Sequence, residues 1–275
     1  MKRFYLFSFI ILFFSSHAII AQTENTEESA ISFGADLQSR YIWRGLNLGG
    51  PSPSIQPYLE YGFGNEQHAF AVGAWGAFSV SGAQIVQEAD LYISYTFNEL
   101  VSLTFTDYFF PIDLLANNDY YNFNMDWDKI NNGTKAQTRH VAEMALSFNG
   151  TETIPVSFLF AMNVWGADSR KYKDQNGIMI PEDKIQMTKY VELGYSFSKK
   201  NIAYNLFMGM VLDDPEEDKG EPAGFYGQES FGVINLGATF SKDVKINENI
   251  SIPVSTSLIT NPERENIFFV IGVSF

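Results

Sequence analysis

The feature that most limits what this chain can become is an alternation with a period of two residues. From Ile31 to Trp43 the odd positions are apolar, small or aromatic (Ile31, Phe33, Ala35, Leu37, Ser39, Tyr41, Trp43), while the even ones read Ser32, Gly34, Asp36, Gln38, Arg40 and Ile42. Over this length only an extended strand with two chemically different faces gives such a pattern. The alternation recurs in twelve segments: 31–44, 54–63, 68–79, 88–97, 100–110, 138–148, 154–165, 185–197, 201–212, 230–240, 250–259 and 266–275. No segment of helical length shows the 3.6-residue period. The connections alternate too, with short ones after the second, fourth, sixth and eighth segments and long ones at 45–53, 80–87, 111–137, 166–184 and 213–229. The last connection, 260–265, is short where the series calls for a long one. Tight turns at one end and extended loops at the other describe an all-β, up-and-down antiparallel transmembrane β-barrel of about twelve strands, with short periplasmic turns and longer extracellular loops.

The polar parity decides between a barrel and a soluble sandwich. A sandwich would place one face in a core and the other in water, favouring Lys and Glu outside. Here the polar face is mostly Ser, Thr, Gly, Asn, Gln and Tyr, and charged residues make up only 18% of the chain, which suits a lumen. Acids outnumber bases 32 to 18, so no nucleic-acid surface is expected. The chain has no cysteine, which excludes disulfides, thiolate metal sites and a cysteine nucleophile.

The first residues read as an address. Lys2 and Arg3 precede an apolar run from Phe4 to Phe14, followed by Ser15-Ser16-His17 and Ala18-Ile19-Ile20-Ala21-Gln22. This is the order of a secretory signal peptide, 1–21, cleaved after Ala21, and no stretch approaches the ~20 apolar residues of a membrane-spanning helix. The domain reading is therefore a signal peptide 1–21, a short periplasmic segment 22–30 and an outer-membrane barrel 31–275.

Six segments end alike, on Phe63, Phe97, Phe148, Phe197, Phe240 and Phe275, each in an apolar, polar or small, apolar, polar or small, Phe sequence. They recur every 34 to 51 residues, once per hairpin, as expected of an aromatic girdle at the short-turn interface. Tyr41, Trp43 and Phe109 are expected in the opposite girdle. Ile267, Phe269, Ile271, Val273 and Phe275 share one face of the last strand, a pattern resembling the terminal signal read by the barrel-assembly machinery of bacterial outer membranes.

The run Ser39-Arg40-Tyr41-Ile42-Trp43-Arg44-Gly45, with Tyr58-Leu59-Glu60-Tyr61, Val72-Gly73-Ala74-Trp75-Gly76 and Glu88-Ala89-Asp90-Leu91-Tyr92-Ile93-Ser94-Tyr95, resembles the TorF-type putative porins, Gram-negative outer-membrane proteins whose first strand carries a Tyr-x-x-Arg-Gly element. The resemblance covers residues 31–110 and implies a channel-like barrel set in the outer-membrane lipid bilayer; beyond them only the strand pattern agrees.

If the apolar parity meets lipid, the other parity places Asp36, Gln38, Arg40 and Arg44 inside, with Gln56, Tyr58, Glu60, Glu88, Asp90, Tyr92, Glu143, Tyr190 and Glu192. Asp36, Glu60, Glu143 and Glu192 are expected to form a carboxylate belt opposed by Arg40 and Arg44, setting ion preference; the same charges could instead pair across the lumen and hold it shut. Loop 111–137 either folds inward as a constriction or stays outside, where Asp119, Asp126 and Asp128, with Tyr120, Tyr121 and Trp127, could bind a calcium ion or a surface partner, although the spacing is not that of an EF-hand. The acids Asp213, Asp214, Glu216, Glu217 and Asp218 read as a solvated loop tip, and Lys189 points to lipid near the outer end, where its stem can snorkel.

Beyond the signal segment only His68 and His140 remain. His68 lies beside a short turn and His140 on the lipid parity, so neither is placed to serve a nucleophile inside a lumen, and no cofactor or enzymatic activity is expected. The reading is a passive channel for small solutes or ions, with a non-conducting barrel that anchors surface loops as the alternative.

Overall fold

A computed structural model of the chain describes residues 30–81, 87–111, 119–174, 176–177, 179–221, 223–248 and 250–275. The signal segment 1–21 and most of the segment 22–30 lie outside the described residues. The strands are β1 (Ala30–Gln38), β2 (Ile42–Trp43), β3 (Leu46–Asn47), β4 (Ser54–Gly64), β5 (His68–Ser79), β6 (Gln87–Phe97), β7 (Val101–Phe109), β8 (His140–Phe148), β9 (Val156–Gly166), β10 (Ser169–Lys173), β11 (Met179–Ile185), β12 (Lys189–Lys199), β13 (Ile202–Val211), β14 (Gly232–Lys245), β15 (Ser251–Asn261) and β16 (Asn266–Ser274). A single helical turn and a half, α1 (Trp127–Asn131), interrupts the connection between β7 and β8.

Twelve of these strands close into one antiparallel barrel in the order β1-β16-β15-β14-β13-β12-β9-β8-β7-β6-β5-β4. They correspond one for one to the twelve alternating segments. The start of β1 and the end of β16 share the end with the short turns 65–67, 98–100, 149–155, 200–201 and 246–250; the longer connections leave from the other end. Closure pairs the backbone of each wall strand with two neighbours and so removes the open edges of an isolated sheet, except along the outer part of β16, which β1 accompanies only over Gly272–Ser274.

The exterior explains the alternation. Leu59, Leu91, Ile93, Leu103, Leu146, Leu193 and Leu258 are all about half exposed, and they belong to strands all around the wall. A continuous apolar belt of this kind has no place in water, where contiguous apolar patches rarely exceed a few hundred Å², and it matches the hydrocarbon-facing band of a transmembrane barrel. No described helix is long and apolar enough to cross a membrane; the crossing is made by strands.

Two departures from the alternation matter. The first segment reads as strand to residue 44, but β1 ends at Gln38, and the chain then leaves the wall and enters the lumen as the β2–β3 hairpin. In the long connection after β9, where the sequence reads as loop, β10 and β11 pair as a second hairpin outside the barrel.

Candidate functional site

The site is built by the chain that leaves β1. Gln38 stands opposite Ser54 on β4, so 39–53 is an excursion that starts and ends at neighbouring points of the wall. Its tip is a two-residue turn: Trp43 pairs with Leu46, and Arg44 (φ 46°) and Gly45 (φ 76°) both take positive φ, as a type I′ hairpin turn requires. Glycine meets this without strain. Arg44 does not, and an L-residue there costs about 1–2 kcal/mol, which its contacts must offset. The return limb closes on the outgoing one through the amides of Leu48 and Gly49, which donate to the Tyr41 carbonyl (3.1 and 3.3 Å), and through Arg40 Nη1 to the Gly50 carbonyl (3.2 Å).

The hairpin crosses the lumen and is fastened to opposite walls. The Tyr41 hydroxyl donates to Glu88 Oε2 on β6 (2.7 Å), and its ring lies 5.6 Å from that of Trp75 on β5. Trp43 packs on Tyr108 of β7 at 5.7 Å and on Tyr226 at 5.4 Å. The Arg44 guanidinium donates through Nη1 and Nη2 to the two oxygens of Glu143 on β8 (2.7 and 2.8 Å), with both side chains almost fully buried. Its carbon sits 4.7 Å above Trp43 and 4.4 Å above Tyr190 of β12, and Nη1 also meets the Tyr226 hydroxyl. Planar, two-point and stacked on aromatic faces, this is the geometry that guanidinium supplies and ammonium does not. On the far wall, Asn261 Nδ2 donates to the Gly45 carbonyl (3.3 Å). A Cβ on Gly45 would lie 1.8 Å from the Ile234 carbonyl oxygen, so the tip touches the backbone of β14.

The residues expected in the lumen fall into distinct places. Asp36, Gln38 and Arg40 line a cavity of about 190 Å³, together with Asn205, Thr239 and Ser255. Glu143 and Arg44 meet at the hairpin. Glu192 accepts from the Tyr190 hydroxyl and from Asn235 Nδ2 (2.8 Å) and also lines the cavity. Glu60 lies apart from these, accepting from the Tyr92 hydroxyl (2.7 Å).

The aromatic residues divide in the same way. Phe63, Phe97, Phe197, Phe240 and Phe275 are exposed on the outside and Phe148 is half-buried. Tyr41 and Trp43 do not join an outer girdle; they are buried in the lumen, because parity stops applying once the chain leaves the wall at Ser39. Phe109 lies beneath Tyr120 (5.1 Å) and against His140 (4.7 Å). The described part of the loop before β8 packs against the outside of the wall: Phe123 covers His140 and Trp165, and the Tyr120 carbonyl lies 2.7 Å from His140 Nε2. Residues 112–118 of that loop lie outside the described residues.

The outer acids are held partly by local caps and partly by ion pairs between segments distant in sequence. Asp126 caps α1 and pairs with Lys129, and Asp119 accepts from the Tyr121 amide (2.9 Å); among the described residues no His, Asp and Glu group is arranged to hold a metal. Lys189 pairs with Asp213. Glu216 accepts from Lys219 Nζ (2.8 Å) and the Tyr172 hydroxyl (2.8 Å), and Arg170 pairs with Glu221. Of the acidic run, Asp214, Glu217 and Asp218 are exposed, while Asp213 is buried and Glu216 half-buried. Sequence reading passes over Tyr226, since nothing in a loop that alternates acids with glycines marks one tyrosine as the partner of a distant arginine.

Fold and site define a closed twelve-stranded transmembrane β-barrel with a lumen constricted by an inward hairpin. By sequence the chain matches no protein-family model and none of the curated proteins. Among solved structures it is similar to the COG4313 outer membrane channel from Pseudomonas putida F1 (TM-score 0.44, 9% identity, 92% of this chain and 98% of that one). It is likewise similar to the NanC porin (0.39, 8%, 88% and 98%) and to LpxR from Salmonella typhimurium (0.32, 11%, 88% and 98%).

Proposed function

We propose that this chain is an outer-membrane channel that lets small solutes or ions pass through its lumen, with the hairpin 41–50 setting the constriction and Asp36, Gln38, Arg40, Arg44, Glu60, Glu143 and Glu192 setting charge preference. The observation that carries this reading is the cavity behind β1, which Asp36, Arg40 and Glu192 line beside apolar side chains and which meets the hairpin at Arg44, the partner of Glu143. Charged groups ringing a narrow passage select among ions by sign. On the same reading the chain is a TorF-type porin, exported by its signal segment 1–21 and handed to the barrel-assembly machinery through the strand ending in Phe275. It has no catalytic role.

One observation favours the alternative, a non-conducting barrel that anchors surface loops: the hairpin is fastened to several walls of the lumen by buried contacts. Planar-bilayer recordings of the refolded protein separate the two. A channel gives discrete steps and a reversal potential in a salt gradient, shifted by charge reversal at Glu192; an anchor gives neither in any salt.

A further inference from the structure

The wall is not equally complete all the way round. β1 pairs with β16 only over Asp36–Gln38 against Gly272–Ser274, with Ser39 adding bonds to both backbone groups of Ile271. There β1 turns inward, while β16 runs on to Asn266 beside β15. Alternate residues of an antiparallel strand direct both backbone groups to the same side. The N–H and C=O groups of Phe269 and Ile267 therefore point, like those of Ile271, to the place that β1 has vacated. Their side chains are 61% and 68% exposed, against 46% for Ile271 and 50% for Leu258 on the neighbouring strand, as expected where a flanking strand is missing. An open sheet edge facing hydrocarbon is not tolerated unless it borders a cavity.

A cavity does lie behind it, and its surface changes character there. Phe207, Gly237, Ile259 and Phe268 stand side by side across four strands, each paired with the next, and all lie on the inward parity, between the exposed Leu206, Leu236, Leu258 and Ile267. Gly237 leaves room for the Phe207 ring, which a Cβ there would meet at 2.6 Å. The result is an apolar track across an otherwise polar inner wall, ending at the free edge of β16. Phe207, Ile259 and Val270 line the same cavity as Trp43 and Ile42. The axial path outward is crossed by the hairpin, whereas the track runs from the cavity-lining Phe207 and Ile259 to Phe268 on β16.

We infer that the barrel has a lateral opening beside the outer half of β16, through which small molecules with an apolar body pass between the lumen cavity and the surrounding lipid. This rests on the channel reading and names its route and class of solute: an alkyl or aromatic body keeps apolar contact from bilayer to cavity, whereas a fully polar solute gains nothing on the track.

The test uses the four tryptophans. Trp127 and Trp165 lie outside the lumen, so W127F/W165F leaves the buried lumenal pair Trp43 and Trp75 as emitters. In phosphatidylcholine nanodiscs, 1-bromodecane dissolved in the bilayer should quench this emission, because it reaches the cavity that both rings line. Making the track polar with I259N/F268N should weaken quenching roughly tenfold, the partitioning lost with two apolar contacts. Emission untouched by bromodecane in the parent, or quenched equally in the polar-track variant, would overturn the inference. Ion conductance, read separately on the same proteins, decides the channel reading by itself.

Discussion

Arg44 and Glu143 are 99 positions apart in the chain, yet their side chains meet in a two-point ion pair inside the barrel, with the guanidinium layered on Trp43 and Tyr190. The pair joins the tip of an inward hairpin to the opposite wall. A buried pair of this kind is weak evidence for stability taken whole, but removing one partner strands a charge. R44A should therefore cost about 3–5 kcal/mol, and R44A/E143Q should recover much of it. Urea unfolding of the lipid-embedded barrel measures both; equal losses for the single and double variants would show that the two groups are not coupled.

Gly45 offers an independent handle on the same hairpin. Its positive φ and the 1.8 Å that would separate an added Cβ from the Ile234 carbonyl oxygen leave no room for a methyl group, so G45A must push the tip off β14. Strain and lost contacts together should cost about 2–4 kcal/mol, and Trp43 emission should shift to longer wavelength as water enters. An unchanged spectrum would mean that the tip does not rest on β14.

The outer loops should respond to acid. Hydrogen bonds from Lys219 and Tyr172, with Arg170 nearby, hold the Glu216 carboxyl down at about 2. A depressed carboxylate stabilises the ionised, folded arrangement above its ordinary value of about 4.3, and that support is lost as pH falls toward 2. Hydrogen exchange at the amides of Lys219 and Gly220 should be steady from pH 7 to about 4.5 after correction for intrinsic rates, then lose protection towards pH 2. E216Q should remove the pH dependence; protection that persists to pH 2 in the parent would contradict the assignment.

Much of the barrel is legible in the sequence because hydrocarbon and lumen impose opposite chemistries on successive residues, so that Leu91, Ile93 and Tyr95 separate from Asp90, Tyr92 and Ser94 by parity alone. That rule holds only while the chain stays in the wall. Tyr41 and Trp43 continue the alternation of β1 in sequence but belong to a hairpin whose tip, Arg44-Gly45, follows turn chemistry rather than pleat. The pairing of Arg44 with Glu143, the cover that Tyr120 and Phe123 lay over His140, and the salt bridge that draws Lys189 to Asp213 all join segments distant in sequence, and no local pattern encodes them.

On the proposed reading, residues 41–50 narrow a lumen that would otherwise be open. Because Gln38 already faces Ser54 across a ladder, 39–53 can be replaced by a two-residue Asn-Gly turn that continues the β1–β4 hairpin. Single-channel conductance of this variant, beside the parent in the same bilayer and salt, should be several-fold higher. Equal step sizes, or silence from both proteins, would contradict it.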